Sequence, residues 1–158
     1  MPDLPPLHPD LEPLALLVGT WKGKGHGQYP GIDDFEYLEV ASYSHVGKPF
    51  LAYTQRTQHA ATGLPLHAEA GYLRPVDASR AELVVCQPSG IVEVHDVEIS
   101  GPQLVANSST VIGTPTAKQV DQVQRRLIVD RDVLRYTVDM AAMGQPHQFH
   151  LAAELGRG

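Results

Sequence analysis

From Phe35 to the C-terminus, apolar and polar residues alternate in runs of about ten, each run ending in a cluster of glycine, proline or aspartate. A period of two places alternate side chains on opposite faces of a strand, so each run reads as a half-buried strand. FEYLEVASYSHVG, PFLAYTQRTQHAATG, LHAEAGYLRPVD, RAELVVCQPSG, IVEVHDVEISG, QLVANSSTVIG, AKQVDQVQRRLIVDRD, VLRYTVDM and QFHLAAEL all fit, as does the earlier GTWKGKGHGQY. The pattern predicts about ten strands. Helix signals are confined to Pro9, Asp10, Leu11, Leu14, Leu16 and Leu17, which follow a proline-rich arm over residues 1–10 expected to be flexible. This short helix has two readings: a plug closing one end of a barrel, or a surface-packed turn. Hairpin-like spacing along nearly the whole chain favours an antiparallel up-and-down β-barrel over a sandwich, because pairing the first strand with the last removes exposed edges. A barrel of this strand number has room for a ligand.

In GTWKGKG, alternation puts Gly19, Trp21, Gly23 and Gly25 on one face and Thr20, Lys22 and Lys24 on the other. Glycine thins one side of the strand beside a large indole, so another group approaches the backbone there. A ligand, a neighbouring strand at a barrel corner and the leading helix are all candidates. The G-x-W pattern resembles the lipocalin and fatty-acid-binding barrels, in which the tryptophan packs across the closed end.

Composition narrows the function classes. The 158 residues suit one domain over 1–158. Net charge is −6 with the basic residues scattered, which argues against nucleic acid as a partner. A single cysteine, Cys86, excludes an internal disulfide framework, and MPDLPPLHPDLEPL lacks the basic segment and apolar run of a signal peptide; both point to the cytoplasm. No stretch approaches the roughly 18 apolar residues of a membrane helix, so no membrane partner is expected. Cys-x-x-Cys, His-Glu-x-x-His and G-x-S-x-G patterns are absent. Cys86 in ELVVCQ reads as a buried, inert hydrophobe, and Asp33, Asp34, Glu36 and Glu39 as a hydrated rim.

Read in order, GTWKGKG, YPGIDDFEYLEV, SHVGKPFLAY, LPLHAEAGYLRP, QPSGIVEV, YTVDM and HLAAEL resemble the nitrobindin family over about Leu14 to Leu155. The resemblance implies a ten-stranded barrel that holds one haem b per chain in an open pocket through a single histidine. It also implies a ferric haem that binds nitric oxide and isomerises peroxynitrite to nitrate. Carried over onto this chain, the axial ligand is His150 in FHLAAEL, ten positions after the pocket methionine Met140. His67 takes the place of a distal pocket histidine, with Leu66 where some relatives have methionine, and Val120 and Lys118 fall on the strand flanking the porphyrin. Gly31 stands where many relatives carry a threonine beside the haem, so a hydroxyl contact is missing.

The residues themselves are less decisive. Phe149, Leu151, Ala153 and Leu155 share an apolar parity that excludes His150, unless the strand starts just after a loop or those apolar side chains face outward against a helix or partner. The outward case would favour a homodimer. Met140 shares a face with Leu134, Tyr136 and Val138, which ordinary barrel core also explains, and His67 alternates with Glu69 in a position that solvent could reach. The competing function is a haem-free carrier of a lipid or other apolar small molecule, in which Arg125, Arg126 and Tyr136 would meet a carboxylate.

Overall fold

In a computed structural model that describes residues 3–158, a 3-10 helix (Pro9–Leu17) leads into ten antiparallel strands. These are β1 (Gly19–Tyr29), β2 (Ile32–Ser44), β3 (Leu51–His59), β4 (Pro65–Asp77), β5 (Arg80–Cys86), β6 (Ile91–Ser100), β7 (Gln103–Gly113), β8 (Val120–Asp130), β9 (Val133–Ala142) and β10 (Gln148–Arg157). Sequence neighbours are sheet neighbours, and β1 also pairs with β10, so the meander closes into a barrel. Closure gives every strand a neighbour on both sides, with β7 and β8 pairing only over Gln103–Asn107 and Gln124–Ile128. Strand number, order and closure match the expectation from the alternation.

The helix is a plug. Leu11, Leu14 and Leu17 are fully buried and join Trp21 and Leu51 in the core at one end. Their spacing of three matches the three residues per turn of a 3-10 helix, which stacks them in one row facing the barrel. His8 caps the start, its Nδ1 accepting from the Asp10 N–H at 3.2 Å. At the other end the Trp21 indole N–H donates to the Leu17 carbonyl at 2.8 Å, and the Arg157 guanidinium lies 4.3 Å from the Trp21 ring centroid. Arg157 also donates to the Leu16 and Val18 carbonyls, satisfying acceptors that the helix leaves open.

The glycines of β1 make room for two different neighbours. A Cβ on Gly23 would overlap the backbone carbonyl of Glu154 on β10, and one on Gly25 would fall inside the Tyr37 ring. Glycine thus lets the last strand close tightly onto the first and lets Tyr37 lie across the inner face of β1. Neither neighbour is the leading helix.

Two expectations about burial are overturned. Cys86 is exposed: along β5, Ala81, Leu83 and Val85 point inward while Glu82, Val84 and Cys86 point out. A run of adjacent apolar residues hid that parity in the sequence. Glu39 is not part of a rim; it is 4% exposed, inside the barrel between Tyr37 and Ala41 on the inward parity of β2.

Candidate cofactor pocket

The end opposite the helix is open, and a cavity of about 340 Å³ runs from it into the barrel. Phe35, Leu66, Val120, Val123, Met140 and Leu151 give its upper part apolar walls, and His67 and His150 line the same space. Val123 and Met140 are direct cross-strand partners, as are Val138 and Leu151, which sets all four on one interior face.

A bulge brings His150 to that face. Between β9 and β10, Phe149 pairs with Asp139 and Leu151 with Val138, leaving His150 as an extra residue without a partner. Such an insertion resets the alternation, so Leu151 and Leu155 line the cavity and so does His150. Phe149 lies instead beside His26, at 5.7 Å between ring centroids. The conflict between His150 and the apolar parity is removed by this irregularity and not by either explanation offered from the sequence. With Leu151 and Leu155 inside, the outward apolar face that argued for a homodimer is interior.

Local contacts fix the imidazole. His150 Nδ1 sits 3.0 Å from the Gln28 carbonyl oxygen, and a carbonyl only accepts, so Nδ1 carries the proton and Nε2 keeps its lone pair. Tyr29 packs edge-on against the ring at 5.4 Å between centroids. The Tyr29 hydroxyl is itself held, donating to the Met140 carbonyl at 3.1 Å and accepting from the Ala142 N–H at 2.9 Å. Burial lowers the His150 pKa from its usual 6.5, opposed by the bond to Gln28 and assisted by His67, so the neutral form prevails at neutral pH.

Of the other residues singled out in the sequence, Met140, His67, Leu66 and Val120 line the cavity. Lys118 is exposed in the loop before β8 and Gly31 is exposed in the β1–β2 turn with φ of +89°; neither lines it. Gly19, Trp21, Gly23 and Gly25 belong to β1, with Trp21 at the plugged end.

Below the apolar walls the barrel holds a charged layer that sequence reasoning missed. Arg125 forms a fork on Glu69, with Nη1 to Oε1 at 2.5 Å and Nη2 to Oε2 at 3.0 Å, and Nη2 also reaches Glu93 Oε1 at 2.9 Å. Glu69 further meets the Tyr53 hydroxyl at 2.6 Å and His67 Nε2 at 3.2 Å, while Glu93 meets Gln87 Nε2 at 2.5 Å and the fully buried His95 at 2.8 Å. Burial would raise both carboxyls, but Arg125, aided by His67 and His95, outweighs it and holds both below their usual range. Glu39 has no such partner: burial pushes it up to about 7, with the hydrogen bond from Tyr136 opposing and Glu69 adding. A signal for this layer was present for three of the four, since Glu39, Glu93 and Arg125 sit on the inward parity of their strands with an apolar residue two positions away, whereas Glu69 lies between His67 and Gly71.

Residues 10–157 match the family model of the THAP4-like, heme-binding beta-barrel domain. The chain belongs to the nitrobindin family. Its nitrobindin relatives include "Peroxynitrite isomerase 2" of Mycobacterium avium, 54% identical over 155 residues with 96% of each chain covered. "Peroxynitrite isomerase 1" of Mycobacterium tuberculosis is 48% identical over 158 residues, again with 96% of each covered. Among solved structures, Rv2717c from M. tuberculosis superimposes with a TM-score of 0.91 at 44% identity, covering 97% of this chain and 99% of that one. A phycobiliprotein lyase from Guillardia theta shares the fold alone, with a TM-score of 0.63 at 7% identity.

The nitrobindin pocket fits a haem on its own chemistry. Its walls are apolar, its mouth is open, and it presents one neutral imidazole with an available Nε2 whose other nitrogen is anchored, the arrangement that axial ligation requires. Among the described residues no group of three or more His, Cys, Asp or Glu is arranged to hold a bare metal ion. No helix among them is long and apolar enough to cross a membrane.

Proposed function

We propose that this protein is a haem-dependent peroxynitrite isomerase in which His150 is the axial ligand to one haem b per chain. The observation carrying this reading is the His150 bulge, which turns a ring with its Nδ1 proton tied to Gln28 into the apolar mouth of the barrel. A haem held there by His150 would supply Lewis-acid chemistry toward the O–O bond of peroxynitrite and would also bind nitric oxide.

The chain's own residues do the rest by position. His150 donates its Nε2 lone pair and, through Gln28 and Tyr29, holds the ring at one angle. Phe35, Val120, Val123, Met140 and Leu151 supply the apolar walls against which a porphyrin packs and from which water is displaced. His67 sits at the rim with Nε2 held by Glu69, so its ring is oriented and can hydrogen-bond a molecule in the mouth. The same apolar walls would confine a small neutral radical within the pocket. The site of action is the cytoplasm, where a chain with one cysteine needs no disulfide.

The lipid-carrier reading loses its anchor. Arg125 is saturated by two carboxylates, Arg126 is exposed, and the Tyr136 hydroxyl donates to Glu39, so among the described residues the Arg and Tyr of that reading leave no cation free inside the barrel to receive a fatty acid. The remaining acidity of the layer repels a carboxylate.

Adding hemin to the purified protein tests the assignment. The wild type develops a Soret band shifted from that of free hemin and accelerates peroxynitrite decay; His150→Ala loses both. A spectrum unaltered by the substitution sinks His150 as ligand.

A further inference from the structure

Six tyrosines are present in the chain, and their placement is uneven. Tyr72 is 53% exposed on the outer surface, whereas Tyr37, Tyr43, Tyr53 and Tyr136 line the cavity. Two of the four donate to a carboxylate: Tyr53 to Glu69 and Tyr136 to Glu39. These acceptors differ in basicity. Glu69 is committed to Arg125 and His67 and is held acidic, while Glu39 has no cation against it and titrates near 7, about where a base must lie to take a proton at neutral pH. Tyr37 lies 2.8 Å from the Tyr136 hydroxyl oxygen, and since Tyr136 has given its only hydrogen to Glu39, Tyr37 is the donor in that pair.

Removing an electron from a phenol is easier when its proton can leave at the same time along a hydrogen bond already in place. Tyr136 meets this condition, and it lies four residues before Met140 on β9 with its ring toward the same cavity. We propose that Tyr136 is an internal radical trap, whose phenol is oxidised by nitrogen dioxide that fails to recombine in the pocket and which ends as 3-nitrotyrosine. This rests on the peroxynitrite reading for the source of nitrogen dioxide.

The step balances with two molecules of that radical. The first takes one electron from Tyr136 and becomes nitrite; the phenolic O–H bond breaks and its proton passes to the Glu39 carboxylate. The second couples through nitrogen to the ring carbon ortho to the phenoxyl oxygen; the hydrogen on that carbon leaves as a proton and the proton held by Glu39 returns to the oxygen, which restores the aromatic phenol. The products are one nitrotyrosine, one nitrite and one proton.

The molecule carries its own control, because radical that escapes to solvent meets Tyr72. The haem-loaded protein is treated with peroxynitrite and digested, and nitration at each tyrosine is quantified by peptide mass spectrometry. Nitration several-fold higher at Tyr136 than at Tyr72 is expected. Tyr136→Phe raises Tyr72 nitration, and Glu39→Gln, with the Soret band unchanged, lowers Tyr136 nitration several-fold. Nitration confined to Tyr72 while peroxynitrite decay is accelerated overturns the trap and leaves the isomerase reading intact. A second arm needs no peroxynitrite: nitrogen dioxide generated radiolytically from nitrite is applied to Tyr72→Phe protein. Phenoxyl absorbance that disappears in Tyr72→Phe/Tyr136→Phe supports the trap, and absorbance that survives in the double variant refutes it, whatever becomes of the isomerase assignment.

Discussion

His150 Nδ1 donates to the main-chain oxygen of Gln28 across 3.0 Å, joining the bulged last strand to the first. The proton's location and the ring's angle therefore follow from backbone geometry, before any cofactor arrives. Nitrogen NMR of the haem-free protein is expected to show the Nδ1–H tautomer for His150, titrating below 6.5 because burial disfavours the cation. Protonation competes with iron for Nε2, so haem affinity stays level at neutral pH and falls only once pH drops into that lowered range. A midpoint above 6.5, or the opposite tautomer, contradicts this geometry.

Arg125 neutralises two carboxylates that burial would otherwise protonate. Arg125→Met leaves Glu69 and Glu93 without their cation, and a loss of about 3–5 kcal/mol is expected in urea unfolding at neutral pH. Arg125→Lys restores only part, since one ammonium cannot fork onto Glu69 while also reaching Glu93. The deficit of Arg125→Met shrinks below neutral pH, where the abandoned carboxyls can protonate.

Glu39 contributes in the opposite sense. Its folded pKa of about 7 lies above the ordinary 4.5, so the folded state binds its proton more tightly than the unfolded chain does. Stability attributable to this group is complete below about pH 4.5 and declines as pH rises toward 7, by roughly 3 kcal/mol across the window. Glu39→Gln removes the slope. Guanidinium unfolding midpoints at a series of pH values for both proteins give the difference directly; parallel curves would show that Glu39 is not buried as an acid.

Gly25 is held against the Tyr37 ring. Gly25→Ala forces that ring aside at an expected cost of about 1–3 kcal/mol, the usual range for overpacking. Because the ring's hydroxyl meets Tyr136, the substitution should also alter the ultraviolet difference spectrum of the tyrosines. Gly63→Ala is a control of the other kind: Gly63 lies in a turn at φ of +72° with nothing around it, so an alanine there costs backbone strain without touching the tyrosines.

Much of this molecule was legible from alternation alone. Runs such as IVEVHDVEIS place one face in and one out whatever their neighbours do, and turn residues mark the ends, so ten strands and their meander follow from local steric and hydrophobic rules. The leucines at 11, 14 and 17 carried the helix, and charges on inward parity carried the buried layer for a reader who weighs them. What alternation could not reveal is where it breaks. The bulge that turns His150 inward arises because β10 must pair with β9 on one side and β1 on the other, and a register shift created by two partners has no signature within one strand. Likewise, whether Glu39 is an acid near neutrality or an ordinary surface carboxylate depends on which strands face it, because Arg125 reached Glu69 and Glu93 instead. Local pattern determined the strands and their inner faces; closure of the barrel decided which imidazole faces the open cavity and which carboxyl is left without a cation.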